Sequence, residues 1–238
     1  MSRMRKRRNG PRPPDLVDLA KENPPPDKLE CAIFIADSHN KDRIFSLSLA
    51  IASAKATDLA VHVIDTSAAK NAAEAWDRCQ QEALRLKLRW WMPLGDDDII
   101  APYWWSGLTK AFSSAEYLTH AEQTWRITCT GMYLIDARGW PFAVIETPNE
   151  GFHRTDIVAG LGGYTPYVRA DGSHSDSGLN AAATAAGYGT ITLSGVWYSY
   201  RLHGLASQSS PDKRMAAAIH YANQTGDYLK IWGEGDKG

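Results

Sequence analysis

The first sustained apolar run of the chain is Glu30-Cys31-Ala32-Ile33-Phe34-Ile35-Ala36, which shows no polar alternation. A continuous run of this length predicts a strand buried on both faces, the kind found in parallel sheets. The polar turn Asp37-Ser38-His39-Asn40 follows. Ile44, Leu47, Ile51 and Ala54 then recur at helical spacing and predict a helix over about 41–56. Ala60–Ile64 predicts a second strand, closed by Asp65-Thr66-Ser67. The Ala-rich stretch 68–88, with Ala72, Ala75, Trp76, Cys79, Ala83 and Leu86 on one side, predicts a second helix. A third apolar run, Arg89–Leu94, ends abruptly in Gly95-Asp96-Asp97-Asp98-Ile99-Ile100.

Strand, helix, strand, helix, strand is the pattern of a Rossmann-like parallel sheet with right-handed crossovers. Ligands of such sheets sit beyond the carboxyl ends of the strands. Asp37, Asp65 and Asp96–Asp98 close the three predicted strands, so the periodicity puts these acids on one rim. No Gly-x-Gly-x-x-Gly follows the first strand, which argues against a dinucleotide cofactor. After Pro102, Trp104–Phe112 reads as a helix. The runs Tyr117–Trp125, Ile127–Ile135 and Phe142–Ile145 read as strands of a mixed or antiparallel portion. Gly160, Gly162 and Gly163 mark a turning or mobile loop. Ser175–Ala186 predicts a helix, Thr190–Tyr200 a strand, and Met215–Tyr228 a last amphipathic helix.

Residues 1–29 break this regularity. Pro11, Pro13, Pro14 and Pro24-Pro25-Pro26 predict an extended, poorly ordered leader. Arg3, Arg5, Lys6, Arg7, Arg8 and Arg12 make it a basic arm, read first as a solubilising tail and second as a phosphate-binding one. Residues 30–238 are then expected to form one domain. Across its 238 residues the chain is 44% hydrophobic and 22% charged with a formal net charge of −1, so charge gives no overall pull toward nucleic acid or membrane. Three widely spaced cysteines, Cys31, Cys79 and Cys129, suggest neither a disulfide framework nor a zinc site and fit a reducing compartment. No apolar run approaches the roughly 18 residues of a membrane span, and no h-region backs the N-terminal charges. A cytoplasmic location is the expectation.

The acidic triplet carries the most chemistry. Adjacent carboxylates repel by about 1 kcal/mol per pair even in water, so a cluster persists most easily where a cation neutralises it. Hard oxygen ligands favour Mg²⁺ or Mn²⁺, and such sites usually serve phosphate-bearing substrates. A solvated acidic turn, with Asp98 capping the next helix, is the alternative.

Several segments, in order and spacing, resemble the GT-A glycosyltransferases of the family 2 type, over roughly residues 30–210. Val63-Ile64-Asp65-Thr66-Ser67 resembles that family's Val-Val-Asp-Asp-Gly-Ser. Asn71 and Arg78 resemble its nucleotide-side helix, and Asp97-Asp98-Ile99-Ile100-Ala101-Pro102 its Asp-x-Asp-Asp-x-x-x-Pro signature, with Gly95 in the place of the first Asp. Gly162-Gly163-Tyr164 resembles Gly-Gly-Phe. Ser175-Asp176-Ser177-Gly178-Leu179, with Gly187-Tyr188 beyond it, resembles Glu-Asp-x-x-Leu…Gly-Tyr, and Tyr200-Arg201-Leu202-His203 resembles Tyr-Arg-x-His.

The resemblance implies a GT-A fold: an α/β/α sandwich with a mainly parallel central sheet and a smaller antiparallel portion. Residues 30–113 would form the nucleotide-sugar half and 114–238 the acceptor half. It implies a metal-dependent, inverting transfer of sugar from a nucleoside diphosphate, a UDP-sugar in the first instance, to an acceptor hydroxyl. Asp176 would be the catalytic base. Asp37, Asp65, Arg78 and Asp96 would hold the donor nucleotide. Asp97 with Asp98 and His203 would hold Mn²⁺ or Mg²⁺, although which of Asp96, Asp97 and Asp98 touches the ion stays open. Arg201 is a candidate phosphate contact. Trp104, Trp105, Tyr164 and Tyr167 are candidate stacking surfaces for the acceptor, and 160–173 and Gly204–Ser210 are candidate closing loops. The same chemistry on hydroxymethylated bases in DNA is an alternative, with the basic arm gripping phosphates. A non-catalytic sugar- or DNA-binding module is another. A pyrophosphorylase-like nucleotidyltransferase would need a glycine-rich phosphate loop after the first strand, which Asp37-Ser38-His39-Asn40-Lys41 does not resemble.

Overall fold

Six consecutive residues of the first strand, Cys31 to Ala36, are buried, which is possible only if both faces of that strand are covered. In the computed structural model, which describes residues 30–57, 59–101, 104–135, 141–145, 151–168 and 176–201, this strand is β1 (Cys31–Asp37). It lies between β2 (Ala60–Asp65) and β3 (Trp90–Gly95), parallel to both. The crossovers are α1 (Ile44–Lys55), entered through a 3-10 turn at Lys41–Arg43, and α2 (Ala72–Arg85). Asn71 starts α2 by accepting a hydrogen bond from the Glu74 backbone N–H at 2.9 Å.

Alternation along β1 divides the core in two. Cys31, Ile33 and Ile35 face a cluster that includes Ala50 and Ala54 of α1, whereas Ala32, Phe34 and Ala36 face one that includes Ala73, Cys79 and Ala83 of α2. Trp90 and Met92 of β3 join the first cluster and Trp91 joins the second. Burying each of these large side chains stabilises the fold by about 1.5–3 kcal/mol. The result is an α/β/α arrangement.

The second half adds β4 (Ile99–Ile100), α3 (Trp104–Phe112), α4 (Ala115–His120), β5 (Thr124–Ile135), β6 (Pro141–Ile145), β7 (Gly151–Arg154), α5 (Thr155–Gly160), α6 (Asp176–Ala185) and β8 (Gly189–Arg201). Among the described residues the sheet has eight strands in the order β2-β1-β3-β7-β5-β8-β4, with β6 on β5. Its long pairings, β1 with β2 and β3 and β5 with β8, are parallel, and the short ones are antiparallel. This is the mainly parallel Rossmann-like sheet with a smaller antiparallel portion that the periodicity predicts.

Two stretches differ from expectation. Of the strand expected at Tyr117–Trp125, only Thr124 and Trp125 are extended, as the start of β5. Ser114 accepts from the Tyr117 backbone N–H at 3.1 Å and caps α4, and a 3-10 turn at Ala121–Gln123 leads into β5. The capping hydroxyl outweighs the β-propensity of Tyr117 and Thr119. β7 and α5 also arise where no element was expected. β7 is only four residues long and contains Gly, His and Arg, so it shows no alternation. The leader, the helix expected at Met215–Tyr228, His203 and the Gly204–Ser210 loop lie outside the described residues, as does 169–173 of the candidate closing loop 160–173.

β7 splices the two parallel units. Trp90 and Trp91 of β3 pair with Arg154 and His153, while Arg126, Ile127 and Thr128 of β5 pair with His153, Phe152 and Gly151. Gly151 is required by close approach, because a Cβ there would overlap the Ile127 carbonyl oxygen. Gly151→Ala is therefore expected to destabilise the protein by about 1–3 kcal/mol, as overpacking against a backbone that cannot yield. Gly160→Ala in α5, where a Cβ meets nothing within 4 Å, is expected to be neutral or slightly stabilising. Denaturant midpoints of the two variants beside wild type check this contrast.

Candidate functional site

The carboxyl ends of β1 and β3 and the start of α2 enclose a cleft of about 390 Å³, within the ordinary range for small-molecule sites. Its walls include Ser38, Asn40, Arg43, Asn71, Trp76, Tyr200, the whole acidic turn from Gly95 to Asp98, and Asp176. Asp176 stands at the first position of α6, far from the triplet in sequence, and enters the same cavity.

The three acids are handled differently. Asp96 is held from β1 and α1: its Oδ2 accepts from Ser38 Oγ at 2.5 Å and Ser38 N at 3.2 Å, and its Oδ1 from Arg43 Nη1 at 2.7 Å. The same Arg43 nitrogen stands 3.4 Å from Asp97 Oδ2. Burial works against the Arg43 charge, but Asp97 and Asp96 outweigh it and the pKa rises above its ordinary value. Asp98 is held from β8. The Tyr198 hydroxyl donates to its Oδ2 in a very short hydrogen bond, and the Arg201 backbone N–H donates to its Oδ1 at 2.9 Å. Burial first, and then the neighbouring Asp97, push the Asp98 carboxyl up to about 8, against the pull of those two donors. Near neutral pH it therefore keeps its proton.

Gly95 matters to this packing. A Cβ on it would lie 2.7 Å from Asp98 Oδ2 and 2.9 Å from Asp97 Oδ1, so both carboxylates fold back over a residue with no side chain. The acid absent at Gly95 thus corresponds to space that its two neighbours use.

The remaining sequence candidates fall into three groups. Asp37 and Asp65 are in register at the ends of β1 and β2, with His39 Nε2 at 3.3 Å from one and 3.8 Å from the other. Neither is among the residues lining the cleft, although their chain neighbours Ala36, Ser38 and Thr66 are. Hydrogen bonds from the Ser67 hydroxyl and backbone hold the exposed Asp65 carboxyl below its usual range. Arg78 approaches the Asp65 carbonyl oxygen at 3.5 Å.

Three other candidates are buried. Trp104, a candidate stacking face, is 1% exposed and points its indole N–H at Met92 Sδ, 2.9 Å away in the core. Tyr164 is 2% exposed, with its hydroxyl 2.6 Å from His153 Nδ1 and Trp91 edge-on to its ring. Arg201, a candidate phosphate contact, is 2% exposed and donates from Nε to the Asp97 carbonyl oxygen at 2.7 Å, so it secures the acidic turn from beneath. Tyr167 is half-buried against the second core cluster, and nothing is described of the Trp105 side chain or of His203.

Sequence reasoning missed Arg43, Ser38 and Tyr198. A signal for Arg43 existed. It sits at the N-terminus of α1, whose first turn contains no acid, and a cation is unfavourable at that end of a helix dipole. An arginine there implies an anionic partner elsewhere.

Among the described residues no three His, Cys, Asp or Glu side chains stand close enough together to hold a metal ion. Mg²⁺ in phosphate-handling sites is commonly held by one or two carboxylates plus the substrate's own phosphate oxygens. Asp97, in the cleft wall with hard oxygen donors, meets that requirement. Asp96 and Asp98 line the same cleft, with their oxygens engaged by Ser38 and Arg43 and by Tyr198 and the Arg201 backbone.

No protein-family model matches the chain, and no curated protein sequence matches it. Solved structures with similar shape include S. aureus TarS, at TM-score 0.45 and 12% identity over 86% of this chain and 46% of that one. A second TarS structure, residues 1–349, gives TM-score 0.46 and 12% identity over 86% of this chain and 76% of that one. The same fragment in complex with UDP gives 0.42 and 9%, over 86% and 74%. This chain spans less than half the length of the first of these.

Two outcomes follow from the cleft. Because folded Asp98 binds a proton that the unfolded chain releases near pH 4, stability is expected to fall as pH rises from about 4 toward 8. Asp98→Asn, which retains an acceptor for Arg201 N and a group to meet Tyr198, should flatten that slope in melting curves taken across this range. Arg43→Ala removes the guanidinium between Asp96 and Asp97. With Arg43 partly open to solvent, the expected cost is about 1–3 kcal/mol, less than for a fully buried pair. Chemical denaturation at low and high salt measures it, with the larger loss at low salt.

Proposed function

We propose that the protein is a metal-dependent, inverting glycosyltransferase that moves a sugar from a nucleoside diphosphate to an acceptor hydroxyl. One observation carries this reading: Asp176 shares a single cleft with the acidic turn of β3 and the N-terminus of α2. A cleft of this kind offers what a diphosphate sugar and its acceptor need. Helix N-termini favour phosphate through their unpaired backbone N–H groups and dipole, and the small side chains of Ala72 and Ala75 leave the start of α2 approachable.

In this reading residues 30–113 hold the donor. Asp65 and Arg78 at the rim take the nucleoside, with Asp37, and Asp96 fixes the turn that faces the diphosphate. Mn²⁺ or Mg²⁺ would be held by Asp97, with His203 as the further candidate ligand, and would supply Lewis-acid stabilisation of the leaving diphosphate. Asp176 accepts the proton of the acceptor hydroxyl as that oxygen attacks the anomeric carbon. The bond from that carbon to the diphosphate oxygen breaks, and its electron pair leaves with the diphosphate. A single base with direct displacement inverts the anomeric configuration. A positioned base of this type contributes about 10²–10⁴-fold to rate. Asp98, buried and already accepting from Tyr198 and the Arg201 backbone, is not placed for that task, which favours Asp176 as the carboxylate for it.

The test is a donor screen begun with UDP-sugars, in Mn²⁺ and in Mg²⁺, scoring nucleoside diphosphate release. Asp97→Ala and Asp176→Asn are each expected to lower turnover by at least about a hundredfold, and chelation should abolish it until the ion is restored. Turnover unchanged in both variants would sink the reading. A parallel arm with hydroxymethylated DNA as acceptor, at low and high salt, distinguishes a nucleic-acid acceptor by its steep salt dependence.

A further inference from the structure

Helix α2 touches the cleft through Trp76 and the rim through Arg78, and the residue between them faces a different part of the molecule. Asp77 accepts hydrogen bonds from Tyr164 N at 2.6 Å, from Thr165 N at 3.0 Å and, in a very short contact, from the Thr165 hydroxyl. Three donors from two consecutive residues on one carboxylate define a clamp. The turn it grips is built to receive it. Gly163 has φ of +80°, and a Cβ there would overlap Asp77 Oδ1. Both the backbone conformation and the space demand glycine.

The turn is held from its other side as well. The Tyr164 ring runs into the second core cluster between Trp91 and His153, and its hydroxyl meets His153 Nδ1. The 3-10 turn Thr165–Tyr167 follows directly, and α6 packs against it: Tyr167 and Val168 share a cluster with Leu179 and Ala183 of α6 and with Tyr188 just beyond it. Asp176 is the first residue of that helix. The glycine-rich segment expected to be a closing loop is, over 160–168, an anchored turn.

We propose that Asp77 is a positioning residue for Asp176, fixing the Gly162–Tyr167 turn on which α6 is seated and so setting where the base stands in the cleft. This rests on Asp176 acting as the base. Displacing a reacting group by about 1 Å can cost about a hundredfold in rate. A loss of the clamp should therefore appear in the chemical step and leave the donor pocket intact.

The experiment compares wild type, Asp77→Ala, Asp77→Asn and Asp176→Asn, with UDP as binding probe and a UDP-sugar as donor. Asp77→Ala is expected to bind UDP with affinity within about twofold of wild type while kcat falls about ten- to hundredfold. Asp77→Asn, which keeps an acceptor oxygen, should recover part of the rate. If Asp77→Ala turns over like wild type while Asp176→Asn is inactive, the positioning role is wrong and the base survives. UDP affinity and kcat falling together, in step with a reduced folded fraction, would also overturn it in favour of a merely stabilising clamp. If Asp176→Asn turns over normally, the base assignment itself fails. Should Asp77→Ala not fold, Asp77→Asn carries the same comparison.

Discussion

Three neighbouring carboxylates at the end of one strand are a constraint that the surrounding structure must satisfy before any chemistry is possible. Left side by side in a cavity of low dielectric they would repel strongly. Each is instead handled by a different element. Asp96 is bound by Ser38 and Arg43 from the β1 side, and Asp98 by Tyr198 and the Arg201 backbone from β8, with a retained proton removing its charge. Asp97 is left in the cleft wall within reach of Arg43. The turn is thus tied to both halves of the sheet at once.

That tie explains why the site and the fold are hard to separate. β3 delivers the acids, β8 supplies the two donors that hold Asp98, and Arg43, just ahead of α1, contributes the balancing guanidinium. The base candidate arrives on α6, through a turn pinned to α2 and to the core by Tyr164. Rossmann-like sheets gather ligands at strand ends because loops converge there. Here the second, mixed half of the sheet places β8 and α6 against the same end, closing a cavity that three parallel strands alone would leave open.

Much of this was legible from the sequence, for physical reasons that can be named. A parallel strand buried on both faces must be continuously apolar, so β1 and β3 announce themselves, and the first polar residues after them must fall at the ligand end. Asp176, singled out by the resemblance and not by periodicity, lines the cleft. What was not legible is whatever depends on a partner distant in sequence. Trp104 and Tyr164 look like recognition aromatics until Met92 and His153 are seen to occupy their polar atoms. Arg201 looks like a phosphate ligand until the Asp97 carbonyl is found beneath it. The helix at Ala115–His120 hid behind β-prone residues, and only the capping hydroxyl of Ser114 betrays it.

The splice made by β7 bears on how the chain is made in the cell. β1, α1, β2, α2 and β3 can assemble once residue 95 has been synthesised, since the strand pairings among them all lie within residues 31–95. β3 then presents the backbone edge beside Trp90 and Trp91 with no neighbour until residues 151–154 have emerged. At ordinary elongation rates that delay is about 3–10 s. An unprotected edge next to two bulky indoles invites wrong pairing with other nascent chains. Yield on overexpression should therefore be governed by translation speed through 96–150 and by holdase capacity, more than by the equilibrium stability of the finished molecule.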